Sequence, residues 1–494
     1  MRALKLTLFF VTIFLLLFII TANVPMFDFD LWARLIAGMG VIDGGQVLKT
    51  DFLSYTPTHT WWDHEYGSGI VFYFFLKHFG PYSLIILQTV ISFFIFFFIY
   101  KIIKARGVKA PCNIVFYIFP IIALAANLGS PIRCHLFSFL FFTIFLYILE
   151  LSRQGKYKLL YVLPILTILW NNLHGGVVSG LGLIFMYVMA QILDKKPFKH
   201  FVISGIISSG VLIINPWGWE YIKFLLMANT MQRTHVAEWW GLFSKFHLFR
   251  QIPFKIFMLL IVVLEVWKLK LDGIKNLDKA KYIVLLVTLF LAIQHVKLLP
   301  FFVIAASALC YEDFDSIVSN KIPVWTDKLV CWLLLGVCLF SFVIKKYDIP
   351  LGIAAYPHKE VEFIKVNKLS GNVLVNFGLG SFVSYKLYPQ NLIYMDGRYE
   401  EVYNDDLVPL LDKFYTLKLG WDDVLKKYPP DIMIIEKYYP VYKFLKITKD
   451  WVDVYDAEYF AVFVRQKDLR KSYKQPTEDI RYYKNTLFDT DIKF

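Results

Sequence analysis

Apolar stretches near the length of a bilayer crossing recur through the first 346 residues of this 494-residue chain. They begin at residues 4–22, 82–103, 112–128 and 133–151. Seven more, mostly shorter, follow at residues 159–170, 177–193, 201–214, 254–267, 282–293, 298–311 and 329–344. A helix of about 20 apolar residues spans a hydrocarbon layer of about 30 Å. The sequence therefore predicts a polytopic α-helical membrane protein with about eleven transmembrane helices, and it excludes a single water-soluble domain.

The basic residues indicate how these helices are oriented. Lys and Arg outnumber Asp and Glu by 13, and the excess lies before residue 346. Alternate connections are basic, at residues 101–109, 153–158, 195–199 and 268–281. Because basic loops favour the cytoplasm, we predict a cytoplasmic N-terminus and an extracytoplasmic tail. Residues 1–24 also resemble a cleaved signal peptide, which would leave that topology unchanged.

Three regions interrupt or follow the membrane helices. A first loop, residues 23–81, and a second large loop, residues 216–253, lie within the membrane domain, which we place at residues 1–346. The tail, residues 347–494, alternates β-rich runs at 373–375, 392–395, 432–435 and 461–464 with helical patterns at 409–415 and 421–428. This alternation predicts a C-terminal extracytoplasmic α/β domain with a mostly parallel sheet.

Carboxylates gather in the first loop. Asp28 and Asp30 directly follow the first apolar run. Carboxylates at this spacing can hold a divalent cation such as Mg²⁺ or Mn²⁺, or act as a base and its orienting partner, although a solvated helix cap is the alternative. Asp51 follows, and then His64 and Glu65, a pair that suits a metal, a phosphate or a sugar but is often structural. The possible metal ligands are Asp28, Asp30, His64 and Glu65.

Polar residues also recur at the predicted outer ends of later helices. They are Arg133, Asn172, His174, Glu238, His295 and Lys297. Ionisable groups at membrane depth tend to face a protein interior or a wet cavity. We therefore predict one outward-facing cavity, with the carboxylates at one wall and with Arg133, His174, His295 and Lys297 available for an anion. Such a cavity suits a substrate that is part lipid, part phosphate and part sugar, since a base and a cationic clamp are what glycosyl transfer from a lipid phosphate needs.

Several motifs resemble those of the GT-C superfamily, the polytopic lipid-phosphate-sugar-dependent glycosyltransferases. This superfamily includes the protein O-mannosyltransferases and the lipid A aminoarabinose transferases, and the likeness is to uncharacterised bacterial members. The motifs are Asp28-x-Asp30-x-Trp32, Trp62-x-His64-Glu65, Asn172-x-His174-Gly175-Gly176 and, in the tail, Asp396-Gly397-Arg398. The resemblance implies a GT-C-like fold and a catalytic acid in the first outer loop, which maps here onto Asp28 or Asp30.

The sequence as a whole predicts a bacterial inner-membrane glycosyltransferase. It would move a sugar from a polyprenyl-phosphate carrier to an extracytoplasmic glycan, lipid or protein acceptor, with Asp30 as the base and Asp28 beside it. Supporting or acceptor-binding residues would be Asp51, His64, Glu65, Asn172, Glu238, Asp396 and Arg398. The alternatives are a transporter, a non-catalytic lipid-glycan-binding subunit of a cell-envelope assembly, and a metal-independent polymer ligase. Nucleic acid is not an expected partner, because no basic run is interleaved with aromatic residues.

Overall fold

The computed structural model describes residues 2–109, 111–231, 233, 236–273, 277–317, 324–345, 347–404 and 406–494. The chain packs into two compact units. The helical unit comprises Met1–Val24 and Leu84–Asp348, and the mixed unit comprises Pro25–Ser83 and Ile349–Phe494. The predicted division at residue 346 had placed the first loop with the membrane helices, and residue 346 itself lies outside the described residues. The loop belongs instead with the tail, because backbone hydrogen bonds such as Tyr55 N–H to Ile393 O at 3.0 Å join them.

The helical unit is built from apolar α-helices. Their bounds are Arg2–Thr21, Tyr82–Ala105, Ile114–Leu128, His135–Arg153, Leu163–Leu173, Val178–Leu193, Lys199–Gly210, Trp219–Thr230, Ile252–Asp272, Lys279–Gln294, Leu299–Leu309, Tyr311–Ile317 and Val324–Ile344. The first residues of Tyr82–Ala105 belong to the mixed unit.

Five helices of the described ranges are long and apolar enough to cross a membrane. These are Leu4–Thr21, Tyr82–Ala105, His135–Arg153, Gly175–Leu193 and Trp325–Ile344. The prediction of about eleven spans is not confirmed, because several apolar runs form helices shorter than a bilayer crossing needs. Leu163–Leu173, for example, has 11 residues. These helices are those of a multi-pass membrane protein.

Two helices from the first loop pack closely within the mixed unit. They are Leu31–Ile42 and Tyr66–Phe79. A Cβ at Gly38 would lie 2.2 Å from the carbonyl oxygen of Gly69, and a Cβ at Gly69 would lie 2.3 Å from the carbonyl oxygen of Arg34. Only glycine permits the two backbones to approach this closely. This contact fixes the positions of the residues that flank both helices. Several of the predicted site residues are among them.

The tail forms a five-stranded sheet, in the order β2-β1-β3-β5-β4. The strands are β1 (Gly371–Leu374), β2 (Asn391–Ile393), β3 (Ile432–Glu436), β4 (Trp451–Asp456) and β5 (Phe460–Arg465). Strand β1 pairs in parallel with β2 and β3, whereas β5 pairs antiparallel with β3 and β4. The expectation of a mostly parallel sheet is therefore wrong for the half that contains β4 and β5, where a short turn returns the chain as a hairpin.

Helices surround this sheet within the mixed unit. Those of the tail are His358–Val366, Phe377–Leu387, Tyr399–Val402, Leu407–Thr416, Asp423–Lys427, Pro440–Leu445 and Ile480–Asn485. Two of them correspond to the helical patterns predicted at residues 409–415 and 421–428. The crossover from β1 to β2 is the helix Phe377–Leu387, as parallel neighbours require.

Candidate active site

Asp28 and Asp30 of the first loop lie in a tight turn that we call the acidic turn, residues 27–32. The backbone N–H of Asp30 donates to Asp28 Oδ1 at 3.0 Å. Asp30 immediately precedes the helix Leu31–Ile42, yet its side chain makes no capping hydrogen bond to that helix. A Cβ at Gly397 would fall 2.5 Å from Asp30 Oδ1. The Asp30 carboxylate therefore lies against Gly397 of the tail, which differs from the solvated helix cap that the sequence also allowed.

Tyr356 of the tail holds both ends of the acidic turn. Its hydroxyl donates to the carbonyl oxygen of Phe27 at 3.0 Å and accepts from the indole N–H of Trp32 at 3.0 Å. Trp32 is completely buried, and its ring also contacts Phe382 at 5.0 Å. Because both flanks are fixed in this way, the backbone between them presents Asp28 and Asp30 in one arrangement.

A buried arginine organises the other end of the first loop. Arg34, one turn beyond the acidic turn, donates to Glu401 Oε2 at 2.8 Å and to Asp63. The indole N–H of Trp61 donates to the same Glu401 oxygen at 2.9 Å. All four side chains are buried. Charges at this depth require such partners, because removing them from water costs several kcal/mol for each ion.

His64 bridges two glutamates beside this arginine. Its Nδ1 lies 2.9 Å from Glu401 Oε1, and its Nε2 lies 3.5 Å from Glu65 Oε1. Burial opposes the charged imidazolium, but the two carboxylates raise the pKa of His64 to about 9. Burial raises the pKa of Asp63 to about 7 despite Arg34, and the charge of Glu401 adds to the effect.

The same residues form a possible metal-binding group. One ligand atom each from His64, Glu65 and Glu401 lies within 4.8 Å of the others. The two carboxylates are ligands that suit Mn²⁺ or Mg²⁺, whereas the imidazole is a ligand typical of transition metals. Within the described ranges, Asp28 and Asp30 do not belong to this group. The structure thus separates the four possible ligands into the acidic turn and the His64 cluster, and it adds Glu401.

Arg398 and its partners form a second buried network. The Arg398 guanidinium lies 2.9 Å from Asp396 and 2.8 Å from Asp51, and it stacks over the Trp61 ring at 4.5 Å. The side chains of Arg398, Asp396 and Asp51 are at most 1% exposed. Their positions are those of a structural ion-pair network, and an acceptor role for the three residues stays a prediction.

The helical unit contains a polar pocket of its own. This anion pocket has a volume of roughly 220 Å³ and is lined by Arg133, His135, Glu238, Gln251, Lys297 and neighbouring residues. Arg133 pairs with Glu238 at 2.5 Å. Burial opposes ionisation of Glu238, but the charges of Arg133 and Lys297 lower its pKa to about 2. Lys297 forms no ion pair with any described residue and lies 5.2 Å from the Trp239 ring. The pocket thus retains a positive charge at neutral pH.

Three of the predicted site residues take other positions in the helical unit. His174 Nδ1 lies 2.7 Å from Ser138 Oγ and accepts from the Gly176 N–H at 3.0 Å. His295 Nδ1 lies 2.7 Å from the carbonyl oxygen of Trp239. Asn172 donates to the carbonyl oxygens of Ile168 at 2.7 Å and Ile214 at 2.9 Å. None of the three lines the anion pocket. The acidic turn and this pocket belong to different units, so the single cavity expected from the sequence stays a prediction.

Sequence reasoning missed several residues that organise these sites. Arg34 carried a weak signal, since an arginine one turn beyond paired carboxylates is a natural partner for acids. Glu401 and Tyr356 carried none, because their partners lie more than 300 residues away along the chain. The fold alone brings these residues to the first loop.

Comparison with solved structures shows a likeness in fold. No family model matches the sequence, and no curated protein does. The chain is similar to the cryo-EM structure of arabinofuranosyltransferase AftD from Mycobacteria, with a TM-score of 0.53 and 12% sequence identity. The match covers 94% of this chain and 40% of that chain, so this protein spans about two fifths of AftD. At this identity the likeness concerns the fold alone.

Proposed function

We propose that the protein is a bacterial inner-membrane glycosyltransferase that moves a sugar from a polyprenyl-phosphate-linked donor to an extracytoplasmic acceptor. The fold it shares with AftD over 94% of its length carries the proposal. The basic connections support a cytoplasmic N-terminus and an extracytoplasmic C-terminal region. Membrane lipids surround the helical unit in this proposal.

The anion pocket is the proposed site for the phosphate of the donor. Glu238 neutralises Arg133 at 2.5 Å, which leaves the charge of Lys297 for a ligand. A volume of roughly 220 Å³ accommodates a phosphate but not a polyprenyl chain, which would stay in the lipid. Fixed positive charge at this position stabilises the phosphate as it leaves, because negative charge develops on its bridging oxygen.

The acidic turn supplies the proposed base. Asp30 takes the proton from an acceptor hydroxyl, and that oxygen forms a bond to the anomeric carbon of the sugar. The bond from the anomeric carbon to the phosphate breaks, and its electron pair leaves with polyprenyl phosphate. Asp28 orients Asp30 through the backbone hydrogen bond at 3.0 Å. A bound Mg²⁺ or Mn²⁺, held by His64, Glu65 and Glu401, would supply Lewis-acid stabilisation.

The first experiment identifies the bound lipid. The full chain is purified in mild detergent, and the extracted lipid is analysed by mass spectrometry before and after incubation with oligosaccharide, lipid and peptide acceptors. A polyprenyl-phosphate sugar that is consumed supports the proposal. We expect Lys297→Met to lose this lipid, whereas Lys223→Met, which alters an exposed lysine paired with Glu220, should retain it.

Two further variants test the chemistry separately from donor binding. Asp30→Asn should retain the bound lipid and lose its consumption. If folded Asp28→Asn and Asp30→Asn proteins both keep full transfer, the base assignment is wrong. A lipid that is bound but never consumed would favour a binding subunit, and ordinary phospholipids alone would remove support for the donor. Loss of transfer on chelation, restored by Mn²⁺, would support the metal.

A further inference from the structure

The connections of the sheet in the mixed unit diverge between β1 and β3. Strands β1 and β3 are parallel neighbours. After β1 the chain turns toward β2, and after β3 it proceeds toward β4 and β5, so the two connections leave on opposite sides. Ligands of open α/β sheets bind where adjacent strands have diverging connections, at the carboxyl ends of the strands.

A buried carboxylate lies at the carboxyl end of β3. Glu436, the last residue of that strand, is 4% exposed. Its Oε2 has no hydrogen-bond partner among the described residues. Burial raises the pKa of Glu436 to about 7. A buried polar atom left without a partner costs about 1–3 kcal/mol. No hydrogen bond from a described residue offsets this cost for Glu436 Oε2.

The end of β1 places an amide beside this acid. Asn376 Nδ2 donates to Tyr439 Oη at 3.2 Å, and Asn376 Oδ1 accepts from the Gly378 N–H at 3.2 Å. The two strand ends therefore present an acid, an amide and a phenol together. This set can both donate to and accept from the hydroxyl groups of a ligand.

An exposed aromatic surface continues from these polar groups. Tyr439 contacts Tyr415 at 4.7 Å and Tyr438 at 4.4 Å between ring centroids. Tyr438 is 75% exposed. The electron-rich face of an aromatic ring attracts the C–H groups on one face of a pyranose or furanose ring. An aromatic face next to an acid and an amide is the arrangement that saccharides require.

We propose that the crevice at the carboxyl ends of β1 and β3 is a saccharide-binding site, with Tyr438 as its stacking platform and Glu436 and Asn376 as its hydroxyl-binding groups. The site receives the glycan acceptor, and in that respect it deepens the proposed function and rests on it. Binding itself needs no donor lipid. Saccharide binding at this site and sugar transfer from the donor lipid can therefore be disproved separately.

The test is binding of the detergent-purified full chain to an array of immobilised oligosaccharides of neutral hexoses, pentoses and amino sugars. We expect at least one to bind with a dissociation constant below about 1 mM. Tyr438→Ala and Glu436→Gln should each weaken binding by about tenfold or more. Tyr438→Phe should retain it. The matched control is Tyr482→Ala, since this tyrosine is 37% exposed on the helix Ile480–Asn485.

The polyprenyl-phosphate sugar should still co-purify with Tyr438→Ala, which separates acceptor binding from the donor site. The proposal is overturned if no oligosaccharide binds the wild-type protein at about 1 mM. It is equally overturned if Tyr438→Ala binds as tightly as wild type. Equal weakening by Tyr482→Ala would also refute it, because the loss would then come from general destabilisation of the mixed unit.

Discussion

Arg398→Met should destabilise the mixed unit strongly. The guanidinium lies 2.9 Å from Asp396 and 2.8 Å from Asp51, and its side chain is 0% exposed. Methionine is unbranched and apolar but shorter, so the substitution removes the charge and leaves a small space where the guanidinium lay. Two buried carboxylates then lose their cation, and removing one partner of a buried ion pair costs about 3–5 kcal/mol.

Hydrogen exchange of the full chain measures this cost. A loss of about 3–5 kcal/mol corresponds to exchange that is roughly 10²- to 10⁴-fold faster in the peptides that contain β1 and β2. Arg481→Met is the matched control, because Arg481 forms an exposed pair with Asp479 and should leave exchange unchanged. Unchanged exchange in Arg398→Met together with lost transfer would refute the reasoning, since Arg398 would then act on the acceptor.

Other changes test the acidic turn and the acid sensitivity of the mixed unit. Gly397→Ala places a Cβ 2.5 Å from Asp30 Oδ1 and should lower the transfer rate at least about tenfold, whereas Gly182→Ala, with open space around it, should not. Tyr356→Phe loses two hydrogen bonds, which should cost about 1–3 kcal/mol and lower kcat more than it raises KM; an unchanged kcat would contradict its positioning role. Burial lowers the pKa of His358 from 6.5 to about 4. A free energy of unfolding of about 3 kcal/mol is therefore present above pH 6.5 and is lost as the pH falls from 6.5 through 4. Thermal unfolding between pH 7 and pH 4 should show this loss in wild type and a smaller one in His358→Gln, and equal slopes would exclude His358 as the cause.

The strands of the tail show which features of the fold the local residue pattern predicts. Runs of β-branched and aliphatic residues located β1, β2, β3 and β5, because most of their buried side chains are apolar. They did not locate strand β4, because Trp451–Asp456 contains two acidic residues and is mostly half-buried at the sheet edge. The residue pattern of one strand also does not indicate whether its partner strand runs parallel or antiparallel to it. The antiparallel pairing of β5 with β3 therefore required the fold.

The candidate site likewise contains residues that the sequence predicts and residues that only the fold brings together. Residue chemistry singled out Asp28, Asp30 and the His64-Glu65 pair, because acids and a histidine next to an apolar run are unusual. The sequence also marked Asp396 and Arg398 as supporting or acceptor-binding residues, whereas their complete burial is typical of a structural ion pair. The sequence alone does not distinguish a charged residue that binds a ligand from one that pairs with a neighbouring residue.

The sequence by itself determined that lipid is the solvent for much of this chain and that acids follow the first apolar run. Hydropathy is a sum over neighbouring residues, so it needs no knowledge of the fold. Only the tertiary structure decided which charges become partners: Glu401 meets Arg34 across 367 positions of the chain, and Tyr356 spans the acidic turn. Such pairs form because a buried charge or N–H group must find a partner once water is excluded, and folding alone determines which group is near.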